Sequence, residues 1–213
     1  MAKLTLDISM SLDGFVAGPN QTLDEPLGKG GEQLHEWAFA AQSWREAHGL
    51  SGGEANADSE VLDESLRTRG ATVMGRRMFS GGEGPWEEDP NADAWWGDDP
   101  PFHHPVFILT HHGREPVTKE GGTTFTFVTD GIESALRQAR EAAGRGTVAI
   151  AGGADVVKQY LRARLIDELR LHLVPEIIGA GERLLDDVGD LKLEQTAVTD
   201  TDIVAHLSYR VFR

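Results

Sequence analysis

The chain has 213 residues, 39% of them hydrophobic, with 20 Lys and Arg against 35 Asp and Glu, and no cysteine. At roughly 150 residues per domain this length predicts one domain spanning 1–213, large enough to bury a core without a disulfide or metal staple. The missing cysteines exclude disulfides, thiolate metal sites and thiol nucleophiles, and a formal net charge of −15 disfavours duplex nucleic acid and anionic membrane, so any anion site must be local.

No apolar run reaches the ~18 residues of a membrane span. The start, Met1-Ala2-Lys3-Leu4, runs directly into a strand pattern without a signal-peptide core, so a cytoplasmic location is expected. Leu4, Leu6, Ile8 and Met10 alternate with polar residues and predict that first strand. Gly14 to Gly31 reads as a loop. One helix is predicted next, with Leu34, Trp37, Ala38, Ala41 and Trp44 on its apolar face. Gly49–Asn56 ends it, and Val61, Leu62, Ser65 and Leu66 suggest a second, short helix.

Ala71–Met74 is a short strand ending at Gly75-Arg76-Arg77. Residues 80–104, rich in Gly, Pro, Asp and Trp, form an insertion too long for an ordinary connection, with Trp86, Trp95, Trp96 and Phe102 as its aromatic content. These rings fit a lid, an interface or a cap on the core. Val106–Leu109 and Thr123–Val128 are strands, and Asp130 with Glu133 suggests a capping box for the following helix. Thr147–Ala151 leads through Gly152-Gly153 into a helix bearing Val156, Val157, Tyr160, Leu161 and Leu165. Leu169, Leu171 and Leu173 mark another strand. Leu191–Val198 and Ile203–Val211 close the chain as a hairpin, with Ile203, Ala205, Leu207, Tyr209 and Val211 on one face.

Strands alternating with helices, then a hairpin, predict an α/β fold with a mixed, mostly parallel sheet, helices on its faces and an antiparallel edge. Ligands of such sheets bind at the carboxyl ends of the strands. Three strand ends carry suitable residues: Gly75-Arg76-Arg77, Thr110-His111 and Gly152-Gly153-Ala154. Helix-start N–H groups and a nearby guanidinium bind anions, although a solvated Arg pair or a plain Gly-Gly turn has the same sequence. Asp155 in the first helical turn complements the dipole. Asp13 after the first strand is a candidate substrate contact or an ordinary turn residue. Glu32, His35 and Glu36 lie opposite the Trp37 stripe, a solvated face unless one turns into a cleft; Glu36 is a weak candidate proton donor. His103-His104 and His111-His112 do not predict a metal site, because neighbours on a strand point to opposite faces.

Five segments in this order, SLDGFVAG (Ser11–Gly18), VMGRRMF (Val73–Phe79), VFILTHH (Val106–His112), IAGGADVVKQYL (Ile150–Leu161) and DELRLHLVPEIIGAGERLL (Asp167–Leu185), resemble the dihydrofolate-reductase-like superfamily. The nearest branch is the reductase domain of riboflavin-biosynthesis deaminase-reductases and its stand-alone bacterial relatives. The resemblance implies NADPH as cofactor, with Gly75, Arg76 and Arg77 at adenosine-side phosphates, Thr110 and His111 beside the ribose phosphate, and Gly152, Gly153, Ala154, Asp155 and Val156 around the pyrophosphate. It implies a cis Gly152–Gly153 bond, a substrate site near Asp13, Gly14 and Trp37, and a homodimer. Leu34 or His35 stands near the position of the acid of true dihydrofolate reductases, and Val174 near its threonine partner. The expected function is therefore NADPH-dependent reduction of a small heterocycle, pterin-like or ribosylaminopyrimidine-like. A nucleotide-binding or assembly protein without catalysis is the alternative, and a true dihydrofolate reductase comes third.

Overall fold

The computed structural model describes residues 1–92 and 96–212. Its backbone is a nine-stranded sheet in the order β10-β11-β8-β1-β7-β3-β4-β6-β5. The strands that matter most are β1 (Leu4–Ser11), β3 (Arg69–Gly75), β4 (Pro105–Leu109), β6 (Thr124–Val128), β7 (Thr147–Gly152) and β8 (Glu168–Val174). These six run parallel to one another, while β5 (Val117–Thr118), β10 (Lys192–Asp200) and β11 (Ala205–Phe212) are antiparallel at the two edges. This is the mixed, mostly parallel arrangement with a closing hairpin that the sequence pattern predicts. A separate ribbon pairs β2 (Phe15–Ala17) with β9 (Glu182–Arg183), two strands too short to leave a period in the sequence.

The period-2 alternation divides the sheet into two unlike faces. Leu4 and Leu6 of β1, Val73 of β3, Val148 and Ile150 of β7 and Leu169 of β8 point to one side. There they meet Ala135, Leu136 and Ala139 of α5 (Ile132–Ala143) and Val156, Val157, Tyr160 and Leu161 of α6 (Ala154–Arg162). Burying each Leu or Val contributes about 1.5–3 kcal/mol, so this layer holds the main core. Tyr160 is fully buried and donates its hydroxyl to Ile132 O at 2.9 Å, locking α6 to α5.

The other face carries two smaller clusters. Leu34, Trp37 and Ala38 pack with Val174 and Val204 at the β8–β11 side. Met74, Phe79, Val106, Ile108 and Phe125 pack at the β3–β4–β6 side, with Trp86, Trp96 and Phe102 against them. The insertion's aromatic rings therefore cap a core; Trp95 lies outside the described residues.

Several local expectations are corrected. The single helix predicted over Leu34–Trp44 is broken. A 3-10 turn (Glu32–His35) and α1 (Glu36–Ala40) end at Ala41, whose ψ of 137° is extended, and α2 (Gln42–Ala47) starts anew. Ala41 instead bridges Glu54, so pairing outside the helix overrides the apolar period. The short second helix is the 12-residue α3 (Ala57–Thr68), started by a capping box between Asn56 and Ser59. The Asp130–Glu133 box is not used, because Gly131 is the N-cap of α5 and makes no side-chain cap bond. Ile203 sits in the turn before β11, exposed, rather than on the strand face.

Candidate functional site

The strand order places β7 between β1 and β3, and β4 beside β3. The carboxyl ends of β7, β3 and β4 are therefore adjacent, bringing Gly152-Gly153, Gly75-Arg76 and Thr110-His111 into one row. The connections diverge here: β3 leads to its neighbour β4 on one side, whereas α6 carries the chain from β7 across β1 to β8 on the other. This is the switch-point geometry at which open sheets bind ligands.

The Gly152–Gly153 bond is cis. Gly153 is the N-cap of α6 and supplies no side-chain cap, so the first-turn N–H groups of the helix have no capping side chain. A side chain built on Gly153 would meet nothing within 4 Å, so this helix end opens outward. Gly75 explains the close approach from the other strand: a Cβ there would lie 2.9 Å from Val156 Cγ2 and 3.5 Å from Gly153 N. Any larger residue at 75 would force the Val156 side chain to turn or the start of α6 to move. Ala154 is half-buried, Val156 is buried, and Asp155 is exposed on the first turn. An open, positively polarised helix start beside two glycines fits a pyrophosphate.

The arginines separate. Arg76 opens α4 (Arg76–Ser80) but is only 7% exposed. Its guanidinium pairs with Asp89, donates to Ser80 Oγ, and lies 3.5 Å from the centroid of the Trp86 ring. Arg77 is 62% exposed and pairs with Glu83. Arg77 also lines an open cleft of about 740 Å³, together with Gly18–Leu23, Gly81 and Gly181. The Gly-Gly turn does not line that cleft. At the end of β4, Thr110 is buried and receives the His112 N–H at 3.1 Å, whereas His111 is exposed.

Asp13 is placed at the mouth of β1, but both its oxygens are engaged. The Ser11 hydroxyl and the Ile178 N–H reach Oδ1 at 2.6 and 3.2 Å, and the Gly179 N–H reaches Oδ2 at 2.7 Å. The Ser11 hydrogen bond, with these backbone donors, holds its carboxyl below the ordinary value. Gly14 follows in the turn, and its carbonyl accepts Leu184 N–H at 3.1 Å. Glu36 is exposed, and no cleft residue accompanies it. Trp37 is buried and donates Nε1–H to Ser9 Oγ at 3.0 Å. Leu34 is fully buried and packs in the cluster that contains Val174, while His35, the other residue expected near the acid position, is half-buried.

Sequence reasoning missed a buried polar chain behind Trp37. Asp58 of α3 accepts from the Thr201 hydroxyl at 2.8 Å and lies 2.8 Å from His206 Nε2, and His206 Nδ1 lies 2.8 Å from His172 Nδ1. The Trp37 ring packs on both imidazoles, at 4.6 and 5.0 Å between centroids. Burial, with His206 and Arg170 nearby, pushes His172 down to about 3. The available signal was weak. His172 and His206 each occupy the polar alternation of an apolar strand, but only the β8–β11 register sets them opposite each other.

The topology and the glycine-lined strand ends define a dihydrofolate-reductase-like α/β protein. The model of the RibD C-terminal domain family matches residues 2–206, and the chain belongs to that family. A curated relative, the uncharacterized protein YyaP of Bacillus subtilis (strain 168), is 22% identical over 211 residues, covering 95% of this chain and 92% of its own. Among solved structures, a pyrimidine reductase-like protein from Corynebacterium diphtheriae superposes with a TM-score of 0.59 at 14% identity, covering 100% of this chain and 92% of that one. Dihydrofolate reductase from Enterococcus faecalis, solved with NADP(H), gives 0.50 at 16% identity over 98% and 96%. At these identities the structural likenesses concern the fold.

Proposed function

We propose that the chain is a nicotinamide-dinucleotide-dependent reductase of a small heterocycle, pterin-like or ribosylaminopyrimidine-like. The observation that carries this reading is the uncapped start of α6 held against Gly75 by the adjacent ends of β7 and β3. NADPH is the form implied by the resemblance and present in the Enterococcus structure.

When bound, the dinucleotide supplies a hydride. The protein supplies position and electrostatics. The first-turn N–H groups of α6 would take the pyrophosphate charge, with the glycines at 75, 152 and 153 keeping the approach free of side chains. Arg77, paired with Glu83, and His111, both exposed at neighbouring strand ends, would line the adenosine side. Asp13 would act by fixing the Ile178–Gly179 backbone at the mouth of β1, so that the substrate meets a rigid rim. Its carboxyl is already satisfied, and Glu36 faces solvent, so a water molecule would deliver the proton.

The Leu34–Val174 pairing weighs against dihydrofolate itself, whose pterin ring offers two donors that an apolar pair cannot accept. The same pairing is what favours the second reading, a nucleotide-binding protein without catalysis. Reduced nicotinamide dinucleotide mixed with the protein and either a pterin or a ribosylaminopyrimidine decides between them. Substrate-dependent loss of nicotinamide absorbance is expected. Binding of the dinucleotide without turnover on any heterocycle of either class would favour the second reading.

A further inference from the structure

The donors gathered around Arg76 form an anion seat. A guanidinium and the Ser80 hydroxyl converge on one position, with the Trp86 ring stacked on the arginine. Such a set, at the carboxyl end of a strand that borders the Gly-Gly turn, suits a phosphate. The seat is filled by the chain itself. Asp89 from the 80–104 insertion places its carboxylate there, with a side chain only 3% exposed. Its Oδ2 receives the Ser80 hydroxyl at 2.6 Å and pairs with Arg76 Nη2 at 2.5 Å, while Oδ1 receives Asn91 N–H at 2.9 Å.

We propose that Asp89 is a specificity-determining residue: it occupies the place of a cofactor's adenosine 2′-phosphate on Arg76, so that the protein discriminates only weakly between NADPH and NADH. The inference rests on the dinucleotide reading above.

The physical reason is charge cancellation. An arginine selects a phosphate by offering two N–H groups and an uncompensated positive charge. Here the charge is neutralised by a carboxylate in direct contact, and an approaching 2′-phosphate would meet like charge. The neighbouring cation does not restore the balance, because Arg77 is paired with Glu83. Binding NADPH through Arg76 would require expelling a buried carboxylate that holds two hydrogen bonds and an ion pair. NADH asks nothing of that seat.

The test is a fluorescence titration of the full chain with NADPH and with NADH, for the native protein and for Asp89→Asn. The native protein is expected to bind the two within about five-fold of each other. Asp89→Asn, which keeps the shape but removes the charge, is expected to tighten NADPH by about ten-fold and to leave NADH within about two-fold. Adenosine 2′,5′-bisphosphate and ADP as competitors on the native protein give the same comparison without any substitution, and equal inhibition is expected. A native preference for NADPH beyond about a hundred-fold overturns the proposal, as does an unchanged ratio in a folded Asp89→Asn. Failure of both dinucleotides to bind would instead remove the dinucleotide reading, and this inference with it.

Discussion

His172 carries the protein's clearest acid liability. Held near 3 by burial against an ordinary value of 6.5, it is neutral in the folded state, whereas the unfolded chain protonates it. The unfolded state therefore binds the extra proton between about pH 6.5 and 3, and stability falls as pH drops through that window, by up to about 1.4 kcal/mol per pH unit. His104, hydrogen-bonded to Thr72 and pushed down to about 4 by its burial, adds in the same direction. Urea unfolding at a series of pH values should give a flat stability above about pH 7 and a slope below it, with a shallower slope in His172→Asn. An identical slope in the variant would mean that His172 is not the group responsible. The Arg76–Asp89 pair makes a separate prediction. Arg76→Ala leaves a buried carboxylate alone and should cost about 3–5 kcal/mol, read from the shift in denaturant midpoint at constant slope.

Among the elements, the contact between the end of β3 and the start of α6 decides whether the anion site exists. Gly75→Ala places a methyl 2.9 Å from Val156 Cγ2, and the helix start must move or the valine must turn. Overpacking of this kind costs about 1–3 kcal/mol. Val156→Ala removes the colliding methyl, so the double variant should recover part of the stability and of the dinucleotide affinity lost in Gly75→Ala. Additive losses would place the strain elsewhere. The loop at Asp13 is a second such joint. Asp13→Ala removes the acceptor of Ile178 and Gly179 N–H, and amide exchange at those two positions should rise while exchange in β1 and β8 stays slow.

For the molecule as a whole, β10 is a nine-residue edge strand that is exposed along nearly all its length, with Leu193, Val198 and Phe212 of the hairpin showing apolar surface. Long, uncovered edges of this kind pair with other chains. The expected homodimer would bury it, and light scattering at micromolar concentration should give twice the chain mass; a monomer at that concentration rules out a stable dimer. Dinucleotide binding to the folded state alone should also stabilise it, by about 2.7 kcal/mol at a hundred times Kd, and so raise the unfolding midpoint. Scanning calorimetry with and without NADH checks this independently of any substrate.

The one-dimensional patterns already contained the layers. Alternation at Leu4–Met10 and Leu169–Leu173, the apolar run Val106–Leu109 and the apolar stripe of α6 depend on which side of a strand or helix a residue occupies, and this follows from its position in the chain alone. For the same reason the strand ends at Gly75, Thr110 and Gly152 were legible, since each glycine or polar residue ends its strand or directly follows it. What those residues touch was not legible. Arg76 reads as a phosphate ligand by sequence, and only folding back the 80–104 segment brings Asp89 onto it, 13 positions on, as a buried counter-ion. Asp13 reads as a candidate substrate contact or a turn residue until the Ile178–Gly179 backbone arrives to occupy its oxygens. His172 and His206 became partners only when β11 paired antiparallel to β8 in one register, and Asp58 completed the chain from a helix more than a hundred residues away. Periodicity is a local property of backbone geometry, whereas charge pairing in a buried site depends on which distant segments the sheet order brings together.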